Sequence, residues 1–121
     1  NNPFSIQARL NSFVYAFAGI KAFLRFEPQA LIHLIATISV IIAGFYFEIN
    51  KYEWIAVVFA IGIVVVSEML NTAIEKLTDI VSPEIHPKAK VVKDLAAGAV
   101  LMASIAAAVI GMIVFLPKVV N

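Results

Sequence analysis

The chain contains no cysteine, and only 14% of its 121 residues are charged, well below the roughly 25% of an ordinary soluble domain. The first absence removes disulfides, thiolate nucleophiles and zinc–thiolate sites, and leaves the redox compartment unreadable. The second excludes a typical soluble domain. With a net charge of +1 there is no electrostatic footprint for nucleic acid. No glycine-rich loop ends in Gly-Lys-Ser/Thr, and the protein-kinase elements are missing. The N-terminus reads as an amphipathic segment, without the basic start, apolar core and cleavage site of a signal peptide. What the chain has in abundance is apolar side chains, 62% of the total. Three spans of about 20 residues with short connections would use nearly all of residues 1–121, so any chemistry must sit on the helical bundle itself.

From Ser5 to Leu24 the residues Ile6, Leu10, Phe13, Phe17, Ile20 and Leu24 recur at alternating steps of four and three, which predicts an amphipathic helix over about 5–25. Arg9, Lys21 and Arg25 border that face, as suits a helix lying at the headgroup boundary. Glu27-Pro28 should end it, because a residue before proline is pushed out of the helical region. An uncharged run of 18 residues, Ala30 to Phe47, gives a first span of about 30–47, with His33 as its one titratable group. After a short turn from Glu48 to Glu53, a second span starts at the interfacial aromatics Tyr52 and Trp54 and should leave hydrocarbon between Glu68 and Asn71. The helical pattern continues beyond it through Ile74, Leu77 and Ile80 into water. Val81 to Lys93, with two prolines and five charged or imidazole groups, reads as a returning loop. Leu95 to Leu116 is the third span, and its ridge of Ala99, Ala103, Ala107 and Gly111 has the spacing of close helix packing. Seven of the nine cations fall at the N-terminus and around the 81–93 loop, which predicts a cytoplasmic N-terminus and an external C-terminus.

Glu68, Asn71, Glu75 and Asp79 follow at steps of three, four and four, and so form one polar stripe on the second span's helix. Stacked carboxylates repel one another unless a cation, a basic partner or a proton compensates. A solvated acidic face on a protruding helix is the plain reading. Against it stands Glu68, at the hydrocarbon edge, where ionisable residues are costly and usually functional. A lipid hydroxyl lies at that same depth, so the Glu68 carboxylate is placed to take its proton as a general base. Glu75, farther into water, suits a metal bridging phosphate oxygens, with Glu27 as a second ligand at similar depth. Lys93 and Asp94 stand at the mouth of the third span, where an ammonium can meet phosphate, although a snorkelling lysine beside an ordinary acidic helix start would look the same. His86 either contacts a nucleotide or is simply solvated.

The run from Glu68 to Glu75, then Asp79, Glu84, His86 and Lys93-Asp94-Leu-Ala-Ala-Gly-Ala-Val100, resembles the prokaryotic diacylglycerol kinase and undecaprenol kinase family of integral membrane lipid kinases. The similarity covers nearly the whole chain, including Tyr15, Gly19 and Glu27. It implies a homotrimer of three-span protomers in the cytoplasmic membrane, with active sites shared between neighbours. It also implies ATP- and Mg2+-dependent phosphorylation of a lipid alcohol, diacylglycerol or undecaprenol. By position Glu68 matches the general base, Glu27 and Glu75 the metal ligands, and Tyr15, Glu27, Glu75, Glu84, His86, Lys93 and Asp94 the nucleotide-binding residues, with Asn71 and Asp79 in support. On an ungapped reading a nucleotide-contacting arginine of the surface helix falls at Ala8, with Arg9 one residue away. A Gln-Glu pair of one member is replaced by Ile32 and His33, near the lipid. Two other classes fit parts of the pattern, a cation- or proton-coupled transporter and a non-catalytic membrane subunit docking a basic partner. Acids gathered at one interface rather than the midplane disfavour the transporter.

Overall fold

A computed structural model of the protein describes residues 2–121. These form four helices and no strand: α1 (Ile6–Phe26), α2 (Pro28–Tyr46), α3 (Lys51–Val81) and α4 (Pro87–Val120). The chain divides into two compact units, Asn1–Ile38, holding α1 and the first half of α2, and Ser39–Asn121, holding the rest.

In the first unit Ser5 caps α1 by accepting a hydrogen bond from the Ala8 N–H at 3.1 Å. At the other end Glu27 is extended, with φ −105° and ψ 117°, as its place before Pro28 requires. The large apolar residues of α1, among them Leu10, Phe13 and Phe17, are exposed, a surface suited to lipid or to further protein.

Helices α2, α3 and α4 are each long and apolar enough to cross a membrane. The 19 residues of α2 reach about 28 Å, close to the thickness of a hydrocarbon core. At about 46 Å the 31 residues of α3 overshoot it, so the helix projects as its apolar pattern requires. Exposed leucine, isoleucine, valine and phenylalanine side chains cover the outside of these helices, a surface suited to lipid tails or further protein rather than water.

One of the boundaries differs from the sequence expectation. The segment read as a loop to Lys93 is helical from Pro87 onward, leaving a connection of only residues 82–86. Pro87 starts α4 rather than breaking it, since a proline in the first turn gives up an N–H that has no intrahelical partner anyway. His86 is the cap, its Nδ1 accepting from the Lys88 N–H at 3.1 Å. At the far end the α4 helix runs on beyond the apolar span that closes at Leu116, through Pro117 to Val120, with Pro117 lacking one N–H donor in the last turn.

The α2–α3 turn is closed by paired hydrogen bonds, Ile49 N–H to the Gly44 carbonyl at 3.1 Å and Glu48 N–H to the Phe45 carbonyl at 3.2 Å. That pattern needs a left-handed residue at its centre, and Glu48 supplies it with φ 49°. Asn50 then opens α3 with a reciprocal capping box, its side chain and backbone exchanging 2.9 Å hydrogen bonds with Glu53. Ile49, Val57 and Val114 are buried beside this turn, with Phe47, Trp54 and Phe115 packed around them. Gly44 is buried under the Trp54 indole so closely that a Cβ there would meet Cη2 at 2.5 Å.

Helices α3 and α4 form an antiparallel hairpin with an ion pair near each end, Lys118–Glu53 at 3.3 Å and Lys93–Asp79 at 2.5 Å. From Glu53 to Asp79 is 26 residues and from Lys118 back to Lys93 is 25, so the two helices keep step along their length. The faces that meet carry Val57, Ala60, Glu68 and Thr78 on α3 and Ala96, Ala103 and Val114 on α4. Of the small-residue ridge read from the sequence, only Ala103 is buried in this contact. Ala99 is exposed, and a Cβ added to Gly111 would meet nothing within 4 Å. Steps of seven and eleven, rather than four, keep one face of α4 on α3.

Candidate functional site

Helix α3 carries the acidic stripe up the hairpin. Glu68 lies about 26 Å along the axis from Lys51, Glu75 about 10 Å farther, and Asp79 one more turn on. The first of these is withdrawn from the surface, at 8% exposure, on the face that packs against α4. The helix register sets it level with Ala103 and Ser104, where small side chains leave room for a carboxyl group.

One turn up, the Asn71 amide donates from Nδ2 to Oε1 of the exposed Glu75 at 2.9 Å. This fixes the orientation of the amide and turns its Oδ1 inward, where it is buried with no hydrogen-bond partner among the described residues. Oxygen donors are therefore concentrated at this level of α3. Among the described residues no three His, Asp or Glu side chains are grouped as a ready-made metal cage. Magnesium does not require one, since it binds one or two carboxylates and takes its remaining ligands from phosphates and water.

At the end of the hairpin a cleft of about 290 Å³ is lined by Asp79 from α3, Ser82, Glu84 and His86 from the connection, and Lys90, Lys93 and Asp94 from the first turns of α4. Two ion pairs cross or border it: Lys93 reaches Asp79 at 2.5 Å, and Lys90 reaches Asp94 at 2.6 Å. With its Nδ1 committed to the α4 cap, His86 has Nε2 left to face a ligand. The cleft thus gathers five of the residues singled out from the sequence, Asp79, Glu84, His86, Lys93 and Asp94. Arg9, Tyr15 and Glu27 belong to the first unit. Arg9 donates there to the Pro3 carbonyl at 2.5 Å, Tyr15 is exposed on α1, and Glu27 is half-buried at its C-terminus. Lys90 and Ser82 also line the cleft, beyond the residues the sequence singles out. For Lys90 a signal existed, the four-residue step to Asp94 on one helix face; for Ser82 there was none.

Three helices apolar enough to cross a membrane thus carry a buried carboxylate in mid-hairpin and a charged cleft at the hairpin's end. The family model for prokaryotic diacylglycerol kinase matches residues 14–115, and the chain belongs to that family. It is 41% identical over 107 residues to the undecaprenol kinase of Bacillus subtilis, an alignment covering 88% of this chain and 87% of that one. To the diacylglycerol kinase of Synechocystis it is 34% identical over 113 residues, 93% of this chain and 65% of the other, so it spans just under two thirds of that relative. The protein is a multi-pass membrane lipid kinase, which decides against the transporter and the non-catalytic subunit.

Proposed function

We propose that the protein transfers the γ-phosphoryl group of ATP to the hydroxyl of a membrane lipid alcohol, in one in-line step at the cytoplasmic surface of the inner membrane. The observation that carries this reading is the arrangement along the hairpin: a buried carboxylate midway along α3, and a cleft lined by cations about three to four turns farther along it. The lipid hydroxyl oxygen forms a bond to the γ-phosphorus as the bond to the ADP oxygen breaks. Glu68 takes the hydroxyl proton, and the products are a lipid phosphate and ADP. The nucleotide is held by Lys93, Asp94, Glu84 and His86, with Tyr15 from α1, while Asp79 and Asn71 hold Lys93 and Glu75 in place.

The oxygen-rich surroundings of Glu75 fit magnesium, which Glu75 and Glu27 would hold and which supplies charge neutralisation on the phosphate oxygens. Glu75 is exposed and Asn71 leaves a buried oxygen unsatisfied beside it, so both side chains have coordinating capacity to give. The uncovered small residues of α4, Ala99 and Gly111, leave space for the helices of further copies, in keeping with a homotrimer whose sites are completed by neighbours. Undecaprenol is the favoured substrate, since His33 and Ile32 replace a polar pair near the lipid and the chain covers most of the Bacillus relative.

Purified protein incubated with γ-labelled ATP and magnesium should label undecaprenol more strongly than diacylglycerol. Equal or reversed labelling would overturn the lipid choice, and no labelled lipid from either alcohol would overturn the reaction. For the orientation, a single cysteine at Asn50 should react with an impermeant reagent from outside intact cells and one at Ser82 should not. Labelling of Ser82 from outside would reverse the topology.

A further inference from the structure

Two cations of the cleft are each matched by a carboxylate, Lys93 by Asp79 and Lys90 by Asp94. With Glu84 also on the wall, the cleft holds three carboxylates. Lys93 alone would leave it strongly negative toward a polyphosphate. Lys90 is the one other cation lining it among the described residues, and it sits one helical turn before Asp94 on the same face of α4. The side chains of Lys90 and Asp94 are 73% and 63% exposed, so water screens the pair and it exchanges readily for another partner. A phosphate oxygen offers the ammonium a charge-assisted hydrogen bond of the same kind the carboxylate gives, with more negative charge behind it.

Building on the nucleotide reading of this cleft, we propose that Lys90 is a further nucleotide-binding residue that contacts the polyphosphate. In the nucleotide-free chain Asp94 holds the Lys90 ammonium at the rim of the cleft. When a nucleotide enters, the ammonium turns from the carboxylate to a phosphate oxygen. The same exchange frees Asp94 to accept hydrogen bonds from nucleotide N–H and O–H donors. The α4 N-terminus adds positive potential in the same direction. Lys90 therefore acts on affinity, and acts through the phosphates.

The test is nucleotide binding to the full chain in lipid–detergent micelles, with a non-hydrolysable ATP analogue, ADP and AMP, for the native protein, Lys90→Gln, Lys90→Arg and Lys93→Gln. Lys90→Gln should raise the Kd for the ATP analogue about tenfold, equivalent to about 1.4 kcal/mol. The loss should shrink from the ATP analogue to ADP to AMP, and KM for the lipid should be unchanged. Lys90→Arg should restore affinity, because a guanidinium also donates to phosphate. If Lys93→Gln weakens binding and Lys90→Gln does not, the role of Lys90 is overturned while the nucleotide cleft stands. If neither variant changes Kd, both are overturned. A loss in Lys90→Gln that is equal for the ATP analogue and AMP, or that arginine does not repair, would mean the lysine serves the helix rather than the phosphates.

Discussion

The two ends of the α3–α4 hairpin use the same kind of ion pair in opposite settings. Near the α2–α3 turn, Lys118 and Glu53 are 28% and 22% exposed, Glu53 is also held by the Asn50 capping box, and Val57, Val114, Trp54 and Phe115 pack alongside. Toward the 82–86 connection, Lys93 and Asp79 are 42% and 64% exposed and border an open cleft. Charge at the first end closes a structure already fixed by caps and packing. At the second end it is left in water, where an incoming anion can compete for it. Glu68 lies between the two, on the packed face but only about 10 Å from Glu75.

The largest expected effect falls on that intermediate residue. Glu68→Gln keeps the shape and loses the proton acceptor, so lipid phosphorylation should fall by about 10²-fold or more with ATP affinity nearly unchanged. Glu75→Gln should instead abolish magnesium-dependent nucleotide binding, with helix content retained by circular dichroism. Near-normal turnover in the first variant would move the base elsewhere, to Asp94 first. Unaltered magnesium dependence in the second would remove Glu75 as a ligand.

At the packed end the effects should be on stability. Gly44→Ala forces the Trp54 ring aside and should cost about 1–3 kcal/mol in detergent unfolding. Smaller and opposite in sign, Glu48→Gly relieves a left-handed residue with a Cβ and should stabilise by about 0.5–1 kcal/mol. A destabilised Glu48→Gly would mean that its side chain contributes more than its backbone strain costs.

Much of this contrast was open to reading in the sequence. The alternating steps from Ile6 to Leu24 and the Glu27-Pro28 break place α1 and its end, and the apolar pattern running beyond Asn71 announces the projection of α3. Pro87 is ambiguous in the sequence, because a proline among charges signals a loop and a helix start equally well, and only the His86 cap distinguishes them. The residues of the stripe could be found by their spacing on one helix. The Lys93–Asp79 pair, fourteen positions apart across a turn, required the hairpin register. The small-residue ridge was real as a pattern, but which face of α4 meets α3 depends on side chains of both helices.

The most direct measurement sets the two ion pairs side by side. Lys93→Met and Lys118→Met are each assayed for ATP-analogue Kd and for resistance to denaturing detergent. Lys93→Met should weaken nucleotide binding about tenfold or more with little change in stability, while Lys118→Met should lower stability and leave Kd unchanged. Equal effects of the two on binding, or a loss of nucleotide affinity confined to Lys118→Met, would contradict it.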